Sequence, residues 1–274
     1  MNLHVATYNI HKGFSHFNAR MMVHELRDRL RAINADIVFL QEVIGAHDAH
    51  ARRHVDWPDE PQYEFLADSV WTEFAYGRNA VYDHGHHGNA ILSRYPIRRA
   101  ENQDVSSHRF ESRGLLYCEI ELPGHVQGLH CVCVHLALSE RGRRVQVQQL
   151  IDRVRELVPA DAPLLIAGDF NDWRNLAGKR LAQELGVREA FRDLGGGPAR
   201  SFPSALPLLR LDRIYVRGFE VDRANVHHGH PWSKISDHAM LSAHLSEKAL
   251  AGAQVRVREG VAARALRAVR RVKK

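Results

Sequence analysis

The sequence is short of cysteine and has no long apolar run. Cys118, Cys131 and Cys133 are the three cysteines in 274 residues. They are odd in number and not spaced as a structural zinc site would be, so reduced thiols in a cytosolic protein are the simplest expectation. No stretch of about 18 apolar residues occurs, which leaves no candidate transmembrane helix. The opening MNLHVATYNIHKG has no basic leader before an apolar stretch, so no secretory signal is expected. Aromatic residues are only 8%, yet hydrophobic residues reach 45% and charged residues 26%. That balance supplies enough apolar surface for a core and excludes disorder over most of the length. The length favours one large α/β or all-β domain.

A strong charge of one sign is also missing from most of the chain. The formal net charge is +6, but residues 248–274 hold nine of the 38 lysines and arginines and one of the 32 acids, leaving 29 bases against 31 acids before them. The body is slightly acidic, so the high pI says little about its ligand. From Val255 to Val272 the tail has a weak helical stripe of Val261, Ala265, Val269 and Val272 opposed by arginines. A basic helix of that kind suits the inner face of an anionic membrane or a nucleic acid, and a solvated tail is the plain alternative. The expected division is a folded body, 1–247, and this tail.

Apolar periodicity organises the body. Leu3–Ile10 reads as a strand, and Met22, Val23, Leu26, Leu30 and Ile33 recur as one face of a helix. Asp36–Glu42 and Pro163–Gly168 read as strands buried on both faces. Further strands are expected at Asn89–Ser93, Leu115–Leu122, Leu129–His135, Leu211–Val216 and His238–Leu245. Helices are expected over 139–158 and 176–185. Residues 45–62 read as loop, as do the histidine tracts His84, His86, His87 and His227, His228, His230. Many strands with few helices between them suggest two packed sheets flanked by helices.

The strands stop in chemically useful residues: Asn9, Glu42, His135, Asp169 with Asn171, and Asp237 with His238. Asn89 and Asp212 stand where strands begin. Oxygen donors of this type hold a hard divalent cation, and imidazoles beside them can move protons. A single strand-end carboxylate is usually a turn former. The joint occurrence is the signal.

Seven segments, Thr7-Tyr-Asn-Ile-His11, Gln41-Glu42-Val43, Gly88-Asn-Ala-Ile-Leu-Ser93, Val134-His-Leu136, Gly168-Asp-Phe-Asn171, Leu211-Asp-Arg-Ile-Tyr215 and Ser236-Asp-His238, occur in an order that resembles the endonuclease/exonuclease/phosphatase superfamily of metal-dependent phosphoesterases. The resemblance implies an α/β (α+β) fold, a four-layer αββα sandwich of two mostly antiparallel sheets flanked by helices. It implies a site at one edge of the sandwich that uses Mg²⁺ or Mn²⁺. By resemblance, Glu42 is the principal metal ligand, with Asn9 beside it and Asp237 as a further contact. Asp169 and Asn171 position water and phosphoryl oxygens, and His238 is the base or phosphate-polarising imidazole, oriented by Asp212. His135 resembles the second histidine of the deoxyribonuclease, sphingomyelinase and inositol-phosphatase branches. Asn89, Arg113 and Arg78 are expected to contact substrate.

The stretch Tyr76–Asp83 lacks the glutamate that pairs with the first histidine in the deoxyribonuclease branch, and Val134-His135-Leu136 speaks against the abasic-site nucleases. The pattern looks like a bacterial subgroup of uncertain substrate. Trp57, Trp71 and Trp232 are read mainly as packing residues, while Trp173 is expected to border the site. The leading expectation is a cytoplasmic phosphodiesterase acting by metal-assisted in-line attack of water on a nucleic acid or a phospholipid. A phosphomonoesterase of a sugar or inositol phosphate uses the same residues, and a non-catalytic binding protein on the same fold is the competing class.

Overall fold

The computed structural model describes residues 1–15, 19–47, 52–108, 111–125 and 127–247. The expected basic tail therefore lies outside the described residues. The chain starts with β1 (Asn2–Asn9), α1 (Val23–Ile33) and β2 (Ile37–His47), and β1 and β2 pair in parallel. A parallel pair needs a crossover, and α1 supplies it. Val23, Leu26 and Leu30 are its buried face, and Asn34 ends it in the left-handed conformation at φ 58°. After α2 (Gln62–Ala67) come β3 (Glu73–Tyr82), β4 (Gly85–Ser93), β5 (Ile97–Asp104) and β6 (Gly114–Ile120). The crossover unit then recurs as β7 (Leu129–His135), α3 (Glu140–Leu157) and β8 (Leu164–Asp169), again with its strands parallel. Next come α4 (Leu176–Leu185), a two-residue β9 (Arg188–Glu189), and α5 (Ala190–Asp193). The described chain closes with β10 (Asp212–Arg217), β11 (Phe219–His227) and β12 (Met240–Glu247).

These strands form two six-stranded sheets, ordered β11-β12-β1-β2-β4-β3 and β5-β6-β7-β8-β10-β9. The remaining neighbouring pairs are antiparallel. Side-chain alternation divides the core into three layers. Val5, Phe39, Ile91 and Leu241 meet Leu116, Cys131, Leu165 and Ile214 between the sheets. Tyr8, Val38 and Leu40 face outward onto Leu26 and Leu30 of α1 and Phe65 of α2. Val132, Val134 and Ile166 face outward onto Leu150, Ile151 and Val154 of α3 and Leu181 of α4. The result is the four-layer αββα sandwich. The three cysteines are free and buried, and burial pushes the Cys131 thiol well above its ordinary pKa.

Three expectations are corrected. Strands β3, β5 and β11, not among the expected strands, lie at sheet edges. His86 and His87 stand in β4 and His227 in β11, not in solvated loops. Residues 45–47 continue β2. The expected helix over 139–158 is α3, with the Ser139 side chain accepting from the Gly142 N–H as its N-cap.

Candidate functional site

Both parallel pairs end at the same rim of the sandwich. Asn9, the last residue of β1, donates through Nδ2 to Asp169 Oδ2 at 3.2 Å, and Asp169 is the last residue of β8 in the other sheet. The parallel register sets His135 beside Asp169, and the antiparallel register of β10 sets Asp212 on its other side. β12 runs antiparallel to β1, so His238, two residues before it, reaches this rim as well. Scattered residues converge because strand ends are fixed by the ladders behind them.

Two backbone features aim the carboxylates. At Gly168 φ is +145°, and an added Cβ would stand 2.0 Å from the Val134 carbonyl oxygen. Only glycine lets β8 run this close to β7 before the turn into Asp169. In β2 a bulge falls between Leu40 and Val43, and Glu42 adopts φ +59°. The bulge shifts the alternation so that Val38, Leu40 and Val43 all face the outer core. Gln41 then points between the sheets, donating to Thr7 Oγ1 and Cys133 Sγ at 3.2 Å each. Glu42, half-buried, faces the rim, where the Asn9 amide approaches its Oε1 at 3.4 Å. Left-handed backbone at a non-glycine residue costs about 1–3 kcal/mol and persists where surrounding structure enforces it.

Asp169, Asp212 and His238 form the tightest cluster, with one ligand-capable atom from each within 4.8 Å of the others. Asp212 Oδ2 lies 2.9 Å from His238 Nδ1, which orients the ring so that Nε2 faces Asp169 Oδ2 at 3.8 Å. His135 Nε2 approaches the same Asp169 oxygen at 3.5 Å. The two imidazoles differ in charge. Burial alone would lower the His238 pKa, but Asp212 and Asp169 outweigh it and raise it to about 10. Burial, reinforced by Arg113, His238 and His87, holds His135 well below the usual histidine value. At neutral pH one ring is an imidazolium and the other is neutral. Burial raises the Asp169 carboxyl against the opposing charge of His238.

The remaining expected residues are placed as follows. The Asn171 N–H donates to Asp169 Oδ1 at 2.9 Å and its Nδ2 to the Leu136 carbonyl at 3.0 Å, so it ties the turn to the loop after His135. Asp237 pairs with His11 at 3.3 Å, and Ser236 Oγ links the segment to the Asn9 carbonyl at 2.7 Å. Asn89 donates to the carbonyls of Gly114 and Cys133 at 2.9 and 3.4 Å and leaves a buried Oδ1 without a partner among the described residues. Arg113 is near enough to His135 and His87 to lower both pKa values. Arg78 is exposed on the edge strand β3, where its charge acts on Tyr76 and His86. Its backbone lies opposite Gly88, one residue from Asn89.

The sequence profile of the Endonuclease/Exonuclease/phosphatase family matches residues 6–238. The chain belongs to this family. It is 52% identical over 241 residues to a protein of Escherichia coli K12 named "Uncharacterized protein YbhP", covering 88% of this chain and 95% of that one. Among solved structures, a family protein from Beutenbergia cavernae superposes with a TM-score of 0.69 at 19% identity, covering 90% of this chain and 72% of that chain. One from Bacteroides vulgatus gives 0.69 at 16%, covering 90% and 100%. Humanized D. rerio TDP2 gives 0.64 at 21%, covering 89% and 99%. These structural likenesses are likenesses of fold.

Sequence reading of this family member missed several residues around the rim. His11 and Lys12 follow β1 in a short 3-10 turn, and both have positive φ, at 45° and 59°. His11 was legible only as part of the Thr7–His11 motif, and its pKa is raised by its hydrogen bond to Asp237. His87 in β4 is lowered to about 4 by burial and then by Lys12, and Glu42 is close enough to act on it in the opposite sense. Arg213 is 1% exposed and holds the carbonyls of Asp212 and Asp172 at 2.9 and 3.0 Å, tying the start of β10 to the turn after β8. No helix among the described residues is long and apolar enough to cross a membrane.

Proposed function

We propose that this chain is a divalent-cation-dependent hydrolase of phosphate esters, with a phosphodiester of nucleic acid or phospholipid as substrate. The geometry that carries the reading is that two imidazoles, His135 and His238, approach one buried carboxylate, Asp169, which the Asn9 amide links to Glu42. The donor set suits Mg²⁺ or Mn²⁺: it is rich in carboxylate oxygen, and Asp212 Oδ1 is buried without a partner among the described residues. Glu42 is the principal ligand in this reading, with Asn9 and Asp237 beside it. Asn9 as oriented turns its amide nitrogen toward Glu42 and Asp169 and its oxygen toward the His11 N–H, so ligation by Asn9 requires the opposite amide orientation. A bound cation supplies charge neutralisation at the phosphoryl oxygens.

The side chains divide the proton work. His238, kept as an imidazolium by Asp212, donates a hydrogen bond to a phosphoryl oxygen and disperses its negative charge. His135, neutral, accepts or relays a proton on the other side of Asp169. Asp169 orients the attacking water, and Asn171 holds Asp169 and the loop after His135 in register. Arg113 and Asn89 contact the substrate. Arg78, exposed on the β3 edge, suits contact with an extended substrate. The near-neutral body gives no broad basic face for duplex DNA, which favours short, single-stranded or lipid diesters. Cytoplasmic location and tail-mediated contact with an anionic membrane or nucleic acid complete the reading.

Hydrolysis of bis-(p-nitrophenyl) phosphate, plasmid, single-stranded DNA and phospholipid vesicles, with Mg²⁺ or Mn²⁺ and after EDTA, tests it. Turnover should vanish on chelation, return with metal, and fall at least about 100-fold in Glu42→Ala with folding retained. Metal-independent turnover, or none on any phosphoester, rejects the reading.

A further inference from the structure

Beyond the rim, the start of α3 and the start of α4 enclose a cavity of about 300 Å³ lined by Glu140, Arg143, Arg144, Asp172, Leu176 and Arg180 among others. Its carboxylates are already engaged. Asp172 accepts the Leu176 and Ala177 N–H groups at 3.1 and 2.8 Å, and Glu140 pairs with Arg144 and Arg174 at 3.3 and 3.1 Å. Arg143 and Arg180 make no direct bond to these carboxylates among the described residues, although the charges of Asp172 and Glu140 act on Arg143. Among the described residues, Arg180 bonds only the neutral carbonyl oxygen of Gln148. Arg143 is 4% exposed, and its Nη1 donates to the carbonyls of Ala137 and Leu138. Its Nη2 is buried and has no partner among the described residues. A buried charged donor left without a partner costs more than a neutral one. Arg143 lines the cavity, so a small turn of its guanidinium would bring this unpartnered donor to an anion held there.

We propose that this cavity is a second phosphate site, which takes a phosphate group of the substrate other than the one at the rim. It rests on the phosphoesterase reading and narrows it to substrates that carry two phosphates. Planar guanidinium forks match phosphate oxygens, and a tetrahedral anion can accept from Arg143 and Arg180 together. The site is close to the reacting centre. Asp172 belongs to the turn that follows Asp169, and three residues of chain span at most about 11 Å. Arg143 is also held in place from the other side, its guanidinium 4.7 Å over the Trp173 ring. Trp173 itself is 41% exposed, so beside Arg143 there is open indole surface on which a sugar or base can rest.

Two measurements test this. Inorganic phosphate is titrated calorimetrically into the full chain in EDTA, and into Arg180→Gln and Arg143→Lys. The affinity should fall at least tenfold in each variant that keeps the parent circular dichroism. Arg180→Gln decides the matter if Arg143→Lys does not fold, and equal affinity in parent and variant overturns the site. Separately, KM is compared in the presence of Mn²⁺ for the p-nitrophenyl ester of thymidine 5′-phosphate with and without a 3′-phosphate. The parent should favour the two-phosphate ester at least fivefold, and Arg180→Gln should erase that preference. No preference in the parent overturns the assignment of the anion to the substrate. If neither ester is cleaved, the phosphoesterase reading falls, while the phosphate titration still decides whether the cavity is an anion site.

Discussion

His135 and His238 approach the same oxygen of Asp169, yet their surroundings drive them to opposite charge states. His238 has Asp212 at 2.9 Å behind it, while His135 has the cations Arg113 and Lys12 among its neighbours. Asp212 is therefore the residue that decides what His238 does. Asp212→Asn should cut kcat by about 10⁴ at neutral pH with the circular dichroism spectrum retained, because the ring loses both its orientation and its charge. A loss below tenfold in a stopped assay contradicts that role. The sequence made these residues visible because each ends or begins an apolar run. His87 and Lys12 were not visible in this way. They sit in polar stretches, and only the pairing of β4 with β2 and the 3-10 turn after β1 bring them near Glu42 and His135.

Elements show why some strands were legible and others were not. The strands recognised from sequence, such as β1, β7 and β8, are central and buried on both faces, so they appear as continuous apolar runs. β3, β5 and β11 are at edges, half-exposed and polar, as in IRRAENQD of β5. Polar edges guard against pairing with other chains, and they erase the signal on which strand recognition depends. The bulge in β2 was equally hidden, since nothing in Gln41-Glu42-Val43 announces a positive φ. The Gly168 requirement is a property of the β7–β8 pair. Gly168→Ala should destabilise by roughly 2–4 kcal/mol in urea unfolding, because the Val134 carbonyl is backbone and cannot swing away. A change under about 0.5 kcal/mol would show that the strands can part at no cost.

The β1–β12 pair carries a pH dependence of its own. His4 and His244 stack with ring centroids 3.9 Å apart, and burial, followed by His244, lowers His4 to about 4. The unfolded chain has this group near 6.5, so it binds more protons than the folded chain between about pH 6.5 and 4. The His4 contribution is constant above that window and is lost progressively as pH falls through it. The urea midpoint of the parent should therefore drop between pH 7 and 4.5 by more than that of His4→Asn. Parallel pH profiles for the two proteins contradict the assignment.

At the scale of the whole molecule, two crossover units, each a parallel strand pair with a helix outside, bring their strand ends to one rim. The layers and that rim were legible from sequence, since the ordered motifs span 7 to 238 and the family profile covers 6–238. The cavity between α3 and α4 was not legible, because Arg143 and Arg180 look like ordinary surface charges on amphipathic helices until the packing of those helices is known. The convergence at the rim is tested most directly by anomalous diffraction at the manganese edge from a crystal soaked in Mn²⁺. The strongest peak should lie about 2–2.6 Å from a carboxylate oxygen of Glu42, on the same rim as Asp169 and His238. A strongest peak elsewhere, with none beside Glu42, contradicts the account.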